Sequence, residues 1–178
     1  MIRSSVIALC AAMAGPAWAD RDDEPRPTPT TRVCVAGQVW DSARRICAPI
    51  QESGLDDAGK LNMAHELAAF GRPEDALRLL AGLARPGSAD ALTLRGYATR
   101  KAGDMAAGLA LYDRALALDP DHWQARAYLG AALLESGDRA GAETQLALIR
   151  RAGGRGTFPD VALARALKTG GGIYSAVR

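Results

Sequence analysis

The residues best suited to chemistry in this 178-residue chain are Cys34 and Cys47, His65 and His122, Trp40, and a few basic and tyrosine side chains. Cys34 and Cys47 bracket twelve residues. In an oxidising compartment two thiols at that separation are expected to pair. Closing such a loop removes chain entropy worth roughly 3 kcal/mol. A structural zinc site wants four ligands at short spacings, and His65 and His122 are too far along the chain to complete one. No metal site is expected. Trp40 lies between the cysteines, where an indole either covers the disulfide or offers a flat face to a sugar ring. The sequence holds no Gly-rich phosphate loop with lysine, no H-E-x-x-H, no G-x-S-x-G and no close pairing of a nucleophile with histidine. The expectation is a non-enzymatic protein without a cofactor.

These side chains must be carried by elements that begin after a processing signal. Arg3 supplies a positive charge, Val6 to Ala14 is an apolar run, and Ala17-Trp18-Ala19 is a small-x-small cleavage site. The run is too short to span a bilayer, so residues 1–19 read as a signal peptide cleaved after Ala19, and the protein as periplasmic or secreted. Cys10 lacks the small residues that a lipidation signal needs before its cysteine. No other segment is long and apolar enough to cross a membrane. Residues 20–31, DRDDEPRPTPTT, are charged and proline-rich and read as a flexible linker. Residues 32–50 form a small disulfide module. Val33 and Val35 alternate with Arg32 and Cys34, and Val39-Trp40 follows a turn at Ala36-Gly37, which suggests two short strands or a compact loop.

The formal charge is +2 and falls to +1 without the leader's Arg3. So near-neutral a chain points to no general nucleic-acid partner. Residues 139–178 are nevertheless basic, with Arg139, Arg150, Arg151, Arg155, Arg165, Lys168 and Arg178 against Glu143 and Asp160. Such an end is either a solvated helix face or a surface for an anionic partner such as lipid head groups.

Beyond residue 55 one spacing recurs three times. Ala64, Gly71, Ala76, Leu80 and Leu83 form the first copy. Gly96, Gly103, Gly108, Tyr112 and Ala115 form the second, and Gly130, Gly137, Ala142, Leu146 and Ile149 the third. The internal steps are 7, 5, 4 and 3 residues in every copy, and the copies lie 32 and then 34 residues apart. Periods of this size mark stacked helical hairpins, in which one repeat cannot bury its own apolar face but neighbours can. Helices are expected over about 56–70, 73–84, 89–102 (capped by Ser88), from Asp104 or Met105 to Leu118, from a cap at Asp121 to Ser136, and from Asp138 or Arg139 to Arg151. Residues 153–178 read as a capping helix, opened by Phe158-Pro159-Asp160, and a flexible tail. In that tail Tyr174 is placed to dock back.

A step near 34 residues with small residues at fixed points resembles the tetratricopeptide repeat family. The second copy matches best, reading Leu92, Gly96, Gly103-Asp104, Gly108, Tyr112, Ala115 and Pro120. The resemblance covers residues 55–152. It implies an all-α fold: a right-handed superhelical stack of about three helix-turn-helix repeats with a C-terminal capping helix, preceded by a small disulfide-closed hairpin or loop. Arg95 and Thr99 stand where helix A of the family carries large apolar residues, and Lys60 and Arg126 where an aromatic often opens it. The pattern C-x-x-G-Q-V-W-D around Trp40 is similar to short disulfide motifs ahead of repeats in exported bacterial proteins, and distantly to cysteine-stapled carbohydrate-binding modules.

The resemblance also implies where a ligand would lie. In the family an extended peptide occupies the concave groove lined by the first helix of each pair. By alignment that side presents Leu61 and His65, then Thr93, Tyr97, Arg100 and Lys101, then Gln124, Ala127 and Ala131. Arg100 and Lys101 would hold an acidic group, and Tyr97 would offer an apolar face with a polar tip. The implied function is an interaction scaffold, monomeric, taking a protein or peptide partner. The alternative is a cell-envelope carbohydrate binder that uses the disulfide module, with the repeats as a spacer.

Overall fold

A computed structural model describes residues 24–174; the expected leader, residues 1–19, lies outside them. One turn of helix, α1 (Pro29–Arg32), precedes an antiparallel hairpin of β1 (Gln38–Asp41) and β2 (Ile46–Pro49) and a 3-10 turn. Seven longer helices follow: α2 (Asp57–Ala69), α3 (Pro73–Ala81), α4 (Ala89–Lys101), α5 (Met105–Leu118), α6 (Trp123–Glu135), α7 (Arg139–Arg151) and α8 (Phe158–Thr169). The pairs α2–α3, α4–α5 and α6–α7 are the expected helical hairpins, each packed on the next.

The recurring spacing has a separate physical reason at each place. Its second position turns the chain: Gly71, Gly103 and Gly137 hold φ of 80°, 106° and 87°, a conformation that side chains with a Cβ resist. Asp104 and Asp138 follow and accept hydrogen bonds from Ala107 and Gly141 at 2.9 and 2.8 Å, capping α5 and α7. The first and third positions let the helices of a pair approach. A Cβ on Gly96 would stand 2.7 Å from the Tyr112 ring and 3.0 Å from the Gly108 carbonyl, and one on Gly108 would stand 2.9 Å from the Gly96 carbonyl. The remaining positions fill the interior, with Leu80, Leu83, Tyr112, Ala115 and Ile149 buried and Leu146 partly so.

The cap of α6 and the packing of α8 differ from the sequence reading. The cap of α6 is His122, not Asp121: its Nδ1 accepts from Ala125 N at 3.2 Å while Nε2 meets Asp90 at 3.0 Å. The neighbouring helix thus supplies a partner that Asp121 lacks. Helix α8 packs against both α6 and α7, not on α7 alone. It stands to them as α6 stands to α4 and α5, and so acts as the first helix of a half repeat.

The cysteine module also differs in detail. Val33 and Val35 are each 66% exposed and form no strand. The hairpin lies further on, with Trp40 opposite Cys47, and Cys34 reaches it through the Cys34–Cys47 disulfide, with 5.5 Å between the Cα atoms. The carbonyls near Cys34 are taken by an arginine instead of a strand partner. Arg72 Nη1 donates to the Thr30 and Cys34 carbonyls at 2.8 and 3.2 Å, and Nη2 to those of Val35 and Gln38 at 2.9 and 2.8 Å. Asp75 holds the same guanidinium, Nε to Oδ2 at 2.8 Å, and accepts from Gly37 N at 3.0 Å. Glu66 Oε1 accepts from Thr28 N, Thr28 Oγ1 and Thr31 Oγ1 at 2.8, 2.9 and 2.6 Å. The module is therefore fastened to α2 and α3 by three charged side chains.

Candidate functional site

The face lined by α2, α4 and α6 gathers Tyr97, Tyr128 and Tyr174 around His65, and the fourth tyrosine, Tyr112, packs against Tyr128. Tyr97 and Tyr128 stack with centroids 4.6 Å apart and planes 14° from parallel. Tyr112, from α5, tilts against Tyr128 at 6.1 Å. Tyr174 arrives from beyond α8, stacks on Phe158 at 5.9 Å and meets Tyr97 edge-on at 5.7 Å. Aromatic rings favour these offset and edge-on arrangements because their faces are negative and their edges positive.

A polar knot lies inside this aromatic shell. His65 Nε2 is 2.6 Å from the Tyr128 hydroxyl and 2.5 Å from that of Tyr174, and the two hydroxyls also bond each other. Burial favours the neutral forms. It brings the His65 pKa down to about 4 and pushes Tyr112 up to about 12. Tyr97, Tyr128 and Tyr174 are raised for the same reason. The knot is uncharged at neutral pH, and none of its groups titrates near 7. It is a buried network of neutral hydrogen bonds.

Charge appears at one end. Arg100 is buried, ion-pairs with Glu135 and lies over the Tyr97 ring, 5.6 Å from its centroid. Burial works against its charge, but the Tyr112 hydroxyl and the Glu135 carboxylate outweigh that and raise its pKa. Arg100 Nε and the Tyr112 hydroxyl make no hydrogen bond of good geometry, though they lie close enough to shift each other's titration. A cleft of about 400 Å³ opens here, lined by Tyr97, Arg100, Lys101, Glu135 and the segment Gly172–Tyr174, with Glu24 and Pro25 at its edge.

Of the nine groove residues expected from alignment, only Lys101 is exposed; the other eight are buried. His65, Tyr97 and Arg100 come together as the wall described above. Gln124 reaches the Tyr128 hydroxyl at 3.4 Å. Leu61 and Ala131 belong to the main core, and Thr93 is fully enclosed. Ala127 faces away, packed among Ile149, Leu163 and Leu167. Tyr128, Glu135 and Ile173 were not singled out by the alignment. Tyr128 stands two residues before Gly130, a place held by Asn62 and Leu94 in the earlier copies. The signal that would have found it is composition: a chain with four tyrosines places three of them in or beside its repeats.

Among the described residues no helix is long and apolar enough to cross a membrane, and no three His, Cys, Asp or Glu side chains cluster as metal ligands. The family model described as tetratricopeptide repeat matches residues 100–168, from the end of α4 through α8. No curated protein and no solved structure matches the chain.

Proposed function

We propose that this chain, whose residues 100–168 match the tetratricopeptide repeat family model, is a non-enzymatic interaction scaffold of the cell envelope that binds an extended peptide of a partner protein in its concave cleft. Repeats of this family generally mediate protein–protein interaction. The observation that carries the reading is the cleft itself, lined by Tyr97, Arg100, Glu135 and exposed Lys101, with buried His65 and Tyr128 packed against Tyr97. Rigid aromatics with a few placed charges are what binding sites use as anchors.

Two observations support the remaining parts. The Cys34–Cys47 disulfide suits an oxidising compartment, in line with the expected leader. A solenoid needs both ends covered to stay soluble. Here the cysteine module covers α2–α3 and α8 covers α6–α7, which suits a monomer.

The test is crosslinking from envelope extract with residues 20–178, beside a Lys101→Glu variant. Lys101 is exposed, so its reversal leaves the core intact. A partner captured by the parent and lost by the variant supports the cleft. Equal capture by both moves the working surface elsewhere and overturns the reading.

A further inference from the structure

The cleft already contains a peptide, and it is the chain's own. After α8 the backbone passes through Gly170-Gly171-Gly172, where Gly170 holds a left-handed φ of 69°. It then places Ile173 in the main core at 3% exposure and Tyr174 against His65, Tyr97, Tyr128 and Phe158. The segment has neither helix nor strand to hold it. Among the described residues its backbone gains one hydrogen bond from α8, from Arg165 Nη2 to the Ile173 carbonyl at 2.7 Å. Everything else that seats it comes from two side chains.

We propose that the His65–Tyr97–Tyr128 wall is a recognition site for an aliphatic–tyrosine pair on an extended segment, and that Ile173-Tyr174 is a resident occupant that a partner segment of the same chemistry displaces. This deepens the groove reading above and rests on it. Three features favour displacement over permanent docking. Ordering three consecutive glycines costs more conformational entropy than ordering any other tripeptide, so the tail is held against an unusual penalty. Its grip is that of a ligand, with one apolar side chain enclosed and one phenol both stacked and hydrogen-bonded to a neutral imidazole. The cleft also continues past the tail: about 400 Å³ remains beside Gly172–Tyr174, bordered by Lys101, Arg100 and Glu135. A longer partner segment would gain that space, and Lys101 selects an acidic residue next to its tyrosine.

A site whose competent state is only fractionally free binds more weakly by that fraction. The experiment is fluorescence polarisation with a labelled synthetic peptide of residues 170–178, titrated with the mature chain and with an Ile173→Asp/Tyr174→Ala double variant. The expected result is peptide binding about ten-fold tighter to the double variant than to the parent, and no binding by a peptide carrying Tyr174→Ala. Circular dichroism on the variant accompanies it. A variant that keeps its helical signal and cooperative melt but does not bind the peptide overturns the proposal. So does a variant that unfolds, because the tail would then be a fixed part of the core. Concentration-dependent dimers of the parent that the double variant does not form would assign the site to the tail of a second copy, and also overturn it. Peptide binding as expected, with no Lys101-dependent partner captured from the envelope, would leave this inference standing and remove the scaffold reading.

Discussion

The two ends of the repeat stack are closed by different physics. At the first repeat the cover adds a polar latch to the apolar contacts of Val39 and Ile50. Arg72 collects four backbone carbonyls of the cysteine module, Asp75 clamps that arginine and Gly37, and Glu66 takes three donors from Thr28 and Thr31. At the last repeat the cover is mainly apolar: Leu163 and Leu167 of α8 are buried with Ala127, Ala142 and Ile149. Hydrogen bonds are directional and act group by group, whereas apolar burial scales with area and spreads over every neighbour. The polar end should therefore fail locally and the apolar end cooperatively.

The largest effect is expected at the apolar end. Leu163 is fully enclosed, with its methyl groups against Gly130. Leu163→Ala should cost about 4 kcal/mol through lost burial and the cavity left behind. Urea melts followed by circular dichroism should shift for the whole helical signal at once. A loss confined to α8 would show that this end is as separable as the other.

Next comes a titration that joins the ends, because His65 belongs to the first repeat and its partner Tyr174 follows α8. The folded pKa of about 4 lies below the unfolded value of 6.5. Between those values the unfolded chain binds a proton that the folded chain does not. Stability is therefore full above about pH 6.5, falls as pH falls, and levels off below about pH 4, with a swing of about 3 kcal/mol. Denaturation midpoints measured from pH 7 to 4 should follow this curve, and a His65→Gln variant should lose that dependence. A parent that is flat across the window would place His65 in contact with water.

Arg72→Ala should cost about 2 kcal/mol, since it strips donors from several partly buried carbonyls and leaves the Asp75 carboxylate with fewer partners. Hydrogen exchange is expected to speed up in Gln38–Asp41 and stay unchanged in α4–α7. Uniform acceleration would make the cysteine module part of the main core and erase the contrast between the ends.

What the sequence made readable follows the same division. The period, the helix pairs, the turn glycines and the cap at Ser88 are local signals, and they reappear in the structure, with α3 three residues shorter than expected. The disulfide was readable because loop closure depends on little beyond spacing. The Arg72 latch was not: a guanidinium that serves carbonyls 34 to 42 residues away leaves no periodic trace. Val33 and Val35 alternate as a strand would, yet the Val35 carbonyl is spent on that latch, Val33 N bonds to the Pro29 carbonyl, and both side chains face solvent. In the cleft, the alignment found His65, Tyr97 and Arg100, which share positions with the repeat. It missed Tyr128, which enters from a different register.

The smallest effect isolates the turn from both covers. Gly103 holds a φ of 106°, and a Cβ placed there would meet nothing within 4 Å. Gly103→Ala therefore adds no clash and removes no contact; it only forces an alanine into a left-handed backbone. That should cost about 1 kcal/mol. The change sits between α4 and α5 and touches neither the Arg72 latch nor the Leu163 contact. Its effect should add to those of Arg72→Ala and Leu163→Ala in double variants, because sites without shared partners are nearly independent. Denaturation midpoints of the three singles and two doubles check this. Additivity with Arg72→Ala but not with Leu163→Ala would mean that the second repeat is coupled to the apolar end alone, and that the stack unfolds from its disulfide-bearing end inward.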